Sequence, residues 1–188
     1  MAMGSSLRRA IAVLLVVAVS VAVATARSGG GGAVDTVGDS CNAIRDFVEV
    51  GFCEAALRSS PGAATADRHG HLLIAADLAA ARGTSARDAV AELARGERDA
   101  AARDGLEACG ILYGASVPAL QFMRSYAAER SWEAARSLLW LSGQAGMGCA
   151  AALGSPPAAA PAKMDKDNGD FNRLTTMATA LLNSVTSS

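Results

Sequence analysis

Residues 109–149 read CGILYGASVPALQFMRSYAAERSWEAARSLLWLSGQAGMGC. The two cysteines stand at equal distances from Glu129, which falls between two helical patterns. The first arm places Leu106, Cys109, Tyr113, Ser116, Leu120, Met123 and Ala127 at alternating three- and four-residue spacing. The second does the same with Trp132, Ala135, Leu139, Ser142, Gly146, Cys149 and Leu153. Such spacing keeps each set on one face of an α-helix. Folding the arms back on each other brings the faces together in register. Ala127 meets Trp132, Met123 meets Ala135, Leu120 meets Leu139, Ser116 meets Ser142 and Tyr113 meets Gly146. The register continues to a Cys109–Cys149 pair, so the chain predicts a disulfide between two long antiparallel helices.

The chain holds four cysteines, and this pairing leaves Cys41 with Cys53. Loop-closure entropy assigns the two bonds about 4 and 3 kcal/mol. Both are large against a domain stability of roughly 5–15 kcal/mol. Disulfides belong to an oxidising compartment, and the N-terminus agrees. Arg8 and Arg9 precede an apolar run from Ala10 to Ala24, and Ala24-Thr25-Ala26 has the form of a cleavage site. We read residues 1–26 as a signal peptide. The run is shorter than the roughly 20 residues that span a bilayer. Without Arg8 and Arg9 the chain keeps 15 basic against 18 acidic side chains, a formal charge of −3. A mildly acidic chain is a poor partner for nucleic acid, which needs a basic face.

Residues 27–38 form a Gly-rich leader, expected to be flexible. Residues 39–186 form one domain. Its first part, Asp39 to Leu57, is expected to be short helices folded back at Gly51 and tied by Cys41–Cys53. A Ser-Pro-Gly linker follows. The first long helix is expected to begin at a Thr65 cap and end at Gly96. Its apolar face is read as Ile74, Leu78 and Ala81, then Ala86, Val90 and Leu93 after a slip at Gly83-Thr84. The second runs from Glu97 to Ala127 through Pro118, where a kink is expected. The third runs from Trp132 to Leu153 behind a Ser131 cap. Residues 158–169 read as a loop, and the last helix, capped by Asp170, carries Phe171, Leu174, Ala178, Leu181 and Val185 on one face. With no competing strand pattern, the fold class is all-α: an up-down-up-down four-helix bundle with a short N-terminal helical hairpin and two disulfides.

These residues resemble the plant invertase/pectin methylesterase inhibitor family, over about Asp39 to Val185. The resemblance rests on the four-cysteine layout behind a signal peptide and on Cys109-x3-Tyr113. It rests also on Trp132-Glu-Ala-Ala-Arg136 followed by Trp140-Leu141-Ser142 and Cys149. The Tyr-Pro that the family commonly carries between its first two cysteines is absent, and Asp46 to Val50 stands in its place. The family's invertase-directed members carry Pro-Lys-Phe near the turn before the third helix, where this chain has Arg130-Ser131-Trp132. The resemblance implies an extracellular protein without cofactor that binds an enzyme one-to-one and occludes its active-site cleft. It implies pectin methylesterase as the partner, with acid invertase as the alternative and an apoplastic bundle without enzyme target as a third reading. It places the protein in the cell wall, or in the vacuole if invertase is the target.

Phe122 and Trp140 lie off the two seams. A rigid outward aromatic is an interface anchor, and its competing use is packing against a neighbouring helix. Arg124, Glu129, Arg130 and Arg136 lie near the same end as exposed charges, the remaining candidates for partner contact. Gly143, Gly146 and Gly148 suit close helix approach around Tyr113. A carrier function would need an apolar cavity, and the hairpin seam offers only small residues. His69 and His71, the two histidines of the chain, point apart at this spacing on a helix and share no metal. The sequence carries no Ser/His/Asp set, no G-x-S-x-G and no phosphate loop, which argues against an enzyme.

Overall fold

The computed structural model describes residues 34–154 and 162–187. The expected signal peptide and most of the leader lie outside the described residues. Seven α-helices follow in order: α1 (Thr36–Ala43), α2 (Val50–Arg58), α3 (Arg68–Gly96), α4 (Ala100–Ala128), α5 (Trp132–Ser142), α6 (Gln144–Leu153) and α7 (Ala162–Thr186). A 3₁₀ turn at Ala63–Thr65 precedes α3. No strand occurs among the described residues. α3 packs along α4 and α7, and α4 along α5 and α6. Lighter contacts of α5 and α6 with α7 close the ring of four rods.

The central hairpin forms as its spacing dictates. All seven seam residues of α4 are buried, as are Ala135, Leu139, Ser142, Gly146 and Cys149 opposite them. Trp132 and Leu153 are half-buried. Cys109 and Cys149 are bonded, with Cα atoms 4.5 Å apart, and Cys41 is bonded to Cys53 at 5.7 Å. α4 continues through Pro118. The third rod, expected as one helix, is two. It is interrupted at Gly143, and the Ser142 carbonyl beside the break accepts a hydrogen bond from Ser116 Oγ at 3.2 Å.

Helix starts follow acidic caps. Asp35, Glu49, Asp67 and Asp99 each accept from a backbone N–H of the first turn, the usual remedy for orphan donors. Thus α1 opens at Thr36, upstream of Asp39, and Glu49 places Gly51 inside α2, so the chain folds back over residues 44–49 instead. Asp67 rather than Thr65 caps α3, and Asp99 moves the start of α4 from Glu97 to Ala100. α3 is unbroken. Its buried face is Leu72, Ala76, Ala79, Gly83, Ala86 and Val90, while Ile74 and Leu78 are half-buried and Ala81 is exposed. Ala86 and Val90 lie where expected, whereas the first half of the seam differs because its residues are small. At Gly83 a Cβ would lie 2.9 Å from Phe171 Cε2 and 3.0 Å from Val117 Cγ2, so the missing side chain makes room for the aromatic core.

α7 begins eight residues before the expected cap, and residues 162–169 are helix rather than loop. Asp170 is an interior residue, buried and ion-paired. The extension looks like a polar loop in sequence because its buried polar groups have partners on other helices. Tyr113 of α4 donates its hydroxyl to Asn168 Oδ1. Arg82 of α3 meets Asp167 at 3.0 Å and Asp170 at 3.5 Å. Lys166 and Arg173 each reach Asp170 at 2.6 Å. Burial alone pushes the Asp170 carboxyl up. The hydrogen bonds from Lys166 and Arg173 and the charges of Lys166 and Arg82 outweigh it and hold the carboxyl below the ordinary carboxylate range. Burial, reinforced by Asp167, pushes the Tyr113 phenol up, so it remains a donor. Tyr113 also meets Phe171 edge-on, with ring centroids 5.1 Å apart.

The α1–α2 hairpin docks on the start of α3 through His71, which is fully buried. The Ala63 carbonyl can only accept, so His71 Nε2–H donates to it at 2.8 Å and Nδ1 accepts from Ser40 Oγ at 2.8 Å. On the other side the Arg173 guanidinium lies 4.2 Å from the Phe52 ring centroid.

Cys149→Ser is expected to cost about 4 kcal/mol, read as a lower melting temperature by circular dichroism; an unchanged melt contradicts the role of the bond. Asp170→Asn is expected to cost about 2 kcal/mol at neutral pH. A depressed carboxyl contributes stability above its unfolded value, about 4, and loses it as pH falls through the folded value. The deficit of the variant therefore shrinks below about pH 4, which urea unfolding at a series of pH values will show.

Candidate functional site

The lightly packed edge between α5/α6 and α7 opens into a groove of about 500 Å³. One wall is Arg136, Trp140, Gly143, Gln144 and Met147, a three-and-four-residue stripe beside the seam of the third rod. The other is Asn172, Thr175, Thr176, Thr179 and Asn183 of α7. Leu139, Ala180 and Leu182, all buried, lie at its base, and Phe47 reaches it from the turn between α1 and α2. Trp140 is 69% exposed, Phe47 70% and Met147 56%. Three large apolar side chains thus stand in solvent around one concavity, the composition of a contact surface rather than of a solvated helix face.

The threonine hydroxyls of the α7 wall are bonded to carbonyls of their own helix. Thr176 Oγ1 donates to the Asn172 carbonyl at 2.8 Å and Thr179 Oγ1 to the Thr175 carbonyl at 2.8 Å. Thr175 Oγ1 donates to the carbonyls of Phe171 and Asn172, each at 3.0 Å. A Cβ at Gly146 would lie 2.1 Å from Asn172 Oδ1, so that glycine is where the Asn172 amide enters the bundle. Arg136 Nη2 donates to Thr186 Oγ1 at 3.0 Å, which holds the guanidinium against the end of α7. No residue lining the groove forms a nucleophile–base pair, and no cluster of His, Cys, Asp and Glu among the described residues is arranged for a metal.

Of the candidate contact residues, Arg136 and Trp140 share this groove and the others do not. Phe122, 61% exposed, stands with Ile111 on the outer side of α4. Arg124 pairs with Asp77 of α3 at 2.8 Å. Glu129 and Arg130 form the α4–α5 turn. Phe47, Met147 and the threonines of α7 were not anticipated. Met147 lies seven residues after Trp140 and four after Gly143, which was a readable signal for the stripe. Phe47 comes from a distant part of the chain and had none.

The α4–α5 turn is a Schellman motif with an arginine in the left-handed position. Ser131 N–H donates to the Tyr126 carbonyl at 2.8 Å and Arg130 N–H to the Ala127 carbonyl at 3.0 Å. Arg130 has φ of 59°, a conformation that favours glycine. His69 Nε2 donates to the same Ala127 carbonyl at 2.9 Å, and its ring meets Trp132 edge-on at 5.6 Å. Ser131 occupies the N-cap position of α5 without a side-chain cap bond.

The fold defines a disulfide-locked helical bundle. Residues 35–181 match the family described as plant invertase/pectin methylesterase inhibitor. This is well over half of the chain, and the protein belongs to that family. None of the curated proteins matches it. Among solved structures, a mutant form of a pectin methylesterase inhibitor from Arabidopsis is similar, with a TM-score of 0.67 at 14% identity over 77% of this chain and 95% of that one. A pectin methylesterase inhibitor from Arabidopsis thaliana gives 0.59 at 13%, over 78% of this chain and 93% of that one. At these identities the likeness is one of fold. Among the described residues no helix is long and apolar enough to cross a membrane.

Arg130→Gly is expected to raise stability by about 1 kcal/mol by relieving the left-handed arginine. A thermal melt checks this, and an unchanged or lower midpoint would mean that the arginine side chain compensates for its backbone.

Proposed function

We propose that this protein is a secreted inhibitor that binds plant pectin methylesterase one-to-one and occludes its active-site cleft. The observation that carries this reading is the family match over residues 35–181. Both similar solved structures are pectin methylesterase inhibitors, and Arg130-Ser131-Trp132 replaces the Pro-Lys-Phe of invertase-directed relatives. We place the contact on the groove face, with Trp140 as the apolar anchor and Arg136 as the charged one. Phe122, Arg124, Glu129 and Arg130 belong to a separate, secondary surface. A stiff body suits obstruction, because a preorganised surface loses less conformational freedom on binding. The protein performs no chemistry of its own and needs no cofactor. It acts in the apoplast after loss of residues 1–26.

Titration of the protein against plant pectin methylesterase at mildly acidic pH is expected to abolish methanol release at one equivalent. Trp140→Ala is expected to weaken inhibition by tenfold or more, the scale of an interface hot spot, with an unchanged circular dichroism melt. Phe122→Ala is expected to have the smaller effect. Sucrose hydrolysis by acid invertase in the same format should be unaffected. Full methanol release at micromolar protein rules the reading out. Loss of sucrose hydrolysis instead reassigns the target to invertase, and failure of both assays leaves a bundle without either enzyme target.

A further inference from the structure

The groove beside α7 also has the make-up of a small-ligand site. Its volume of about 500 Å³ lies within the range of ligand pockets, roughly 300–1,000 Å³. The base and rim are apolar or aromatic, with Leu139 below and Trp140 and Met147 above. The threonines of the α7 wall leave this character unchanged. Each has already given its hydroxyl proton to a carbonyl of its own helix, so it offers the groove a methyl group and an acceptor but no donor. Gln144, Asn172 and Asn183 add three side-chain amides, so polar recognition is confined to these and Arg136 while most of the lining surface is apolar.

Charge narrows the choice further. Arg136 lines the groove and no carboxylate does. One guanidinium donor is used by Thr186, and four of the five remain. Arg136 marks one end of the stripe and Met147 the other, eleven residues along an almost continuous rod, roughly 16 Å at the helical rise. The result is an apolar trough that is positive at one end. Cations are repelled there, and a neutral apolar molecule leaves the arginine unused.

We infer that this groove binds a monocarboxylate bearing a medium-length alkyl chain. The carboxylate pairs with Arg136, and the chain lies along Leu139 and Trp140 toward Met147. The site shares Arg136 and Trp140 with the contact proposed for inhibition, but it does not require that reading: a protein that inhibits neither enzyme still carries the groove.

The test is calorimetric titration of the folded protein with hexanoate, octanoate, decanoate and dodecanoate, each below its micellar concentration. Trp140 serves as a fluorescent reporter. Affinity is expected to rise roughly three- to fourfold per added methylene, the increment for burying one CH₂. Arg136→Gln is expected to lower decanoate affinity about tenfold, the effect of one lost charge-assisted contact, while leaving decanol binding unchanged. Thr176→Glu, which places a negative charge in the trough, is expected to abolish carboxylate binding. Both positions are exposed, and a circular dichroism spectrum of each variant checks that it folds. The proposal is overturned if decanoate fails to bind at millimolar concentration, or if affinity is flat with chain length. It is equally overturned if Arg136→Gln leaves decanoate affinity unchanged, or if oligogalacturonate binds more tightly than decanoate.

Discussion

The hairpin of α4 with α5 and α6 is pinned at both ends, and the rest of the molecule is arranged around it. At one end the Schellman turn at Arg130 sets the start of the register through two backbone hydrogen bonds. At the other the Cys109–Cys149 bond sets its finish. A one-residue slip would break both pins at once. It would also separate Ser116 from the Ser142 carbonyl. The pins therefore act together with the packing, and neither needs to be strong alone. A left-handed arginine is tolerated in the turn because the following hydrogen bonds and the His69 contact to Ala127 hold it there.

α7 is held differently. No covalent tie joins it to the hairpin among the described residues, and its order comes from an apolar stripe plus a polar network at its first half. Asp167 and Asp170 meet Arg82 of α3, and Asn168 accepts from Tyr113 of α4. A buried carboxylate without partners would cost several kcal/mol, so this half of α7 is stable in one position, against α3. The consequence appears on the opposite side. Drawn toward α3, the helix leaves its edge with α5 and α6 open, and that opening is the groove.

How much of this was legible follows from where each signal resides. The α4–α5 register was readable because its residues repeat regularly and its partners lie in one continuous stretch. The first half of the α3 seam was not, because it is built of small residues, Ala76, Ala79 and Gly83, the last of which leaves room for Phe171 and Val117, while the larger Ile74 and Leu78 are only half-buried. The start of α7 reads as a loop because Asp167, Asn168 and Asp170 look like loop residues until Arg82 and Tyr113 are placed beside them. The same limit applies to the groove. Trp140 and Arg136 stood out as off-seam residues, but a concavity made by two helices and a distant turn has no local signature. Cross-helix partnership decides polar burial, and one-dimensional periodicity contains no record of it.

The two walls of the groove therefore differ in stiffness. The α5/α6 wall, with Trp140, Arg136 and Met147, belongs to the doubly pinned hairpin. The α7 wall is held by packing, hydrogen bonds and ion pairs. Arg136 bridges them through Thr186 in the last turn of α7, where helices fray most readily. If the groove takes an occupant, adjustment to it would fall first on the C-terminal half of α7. An inhibitor that works by obstruction benefits from that division. The fixed wall keeps the ordering cost of its anchors low, and the yielding wall lets one body fit surfaces that are not identical.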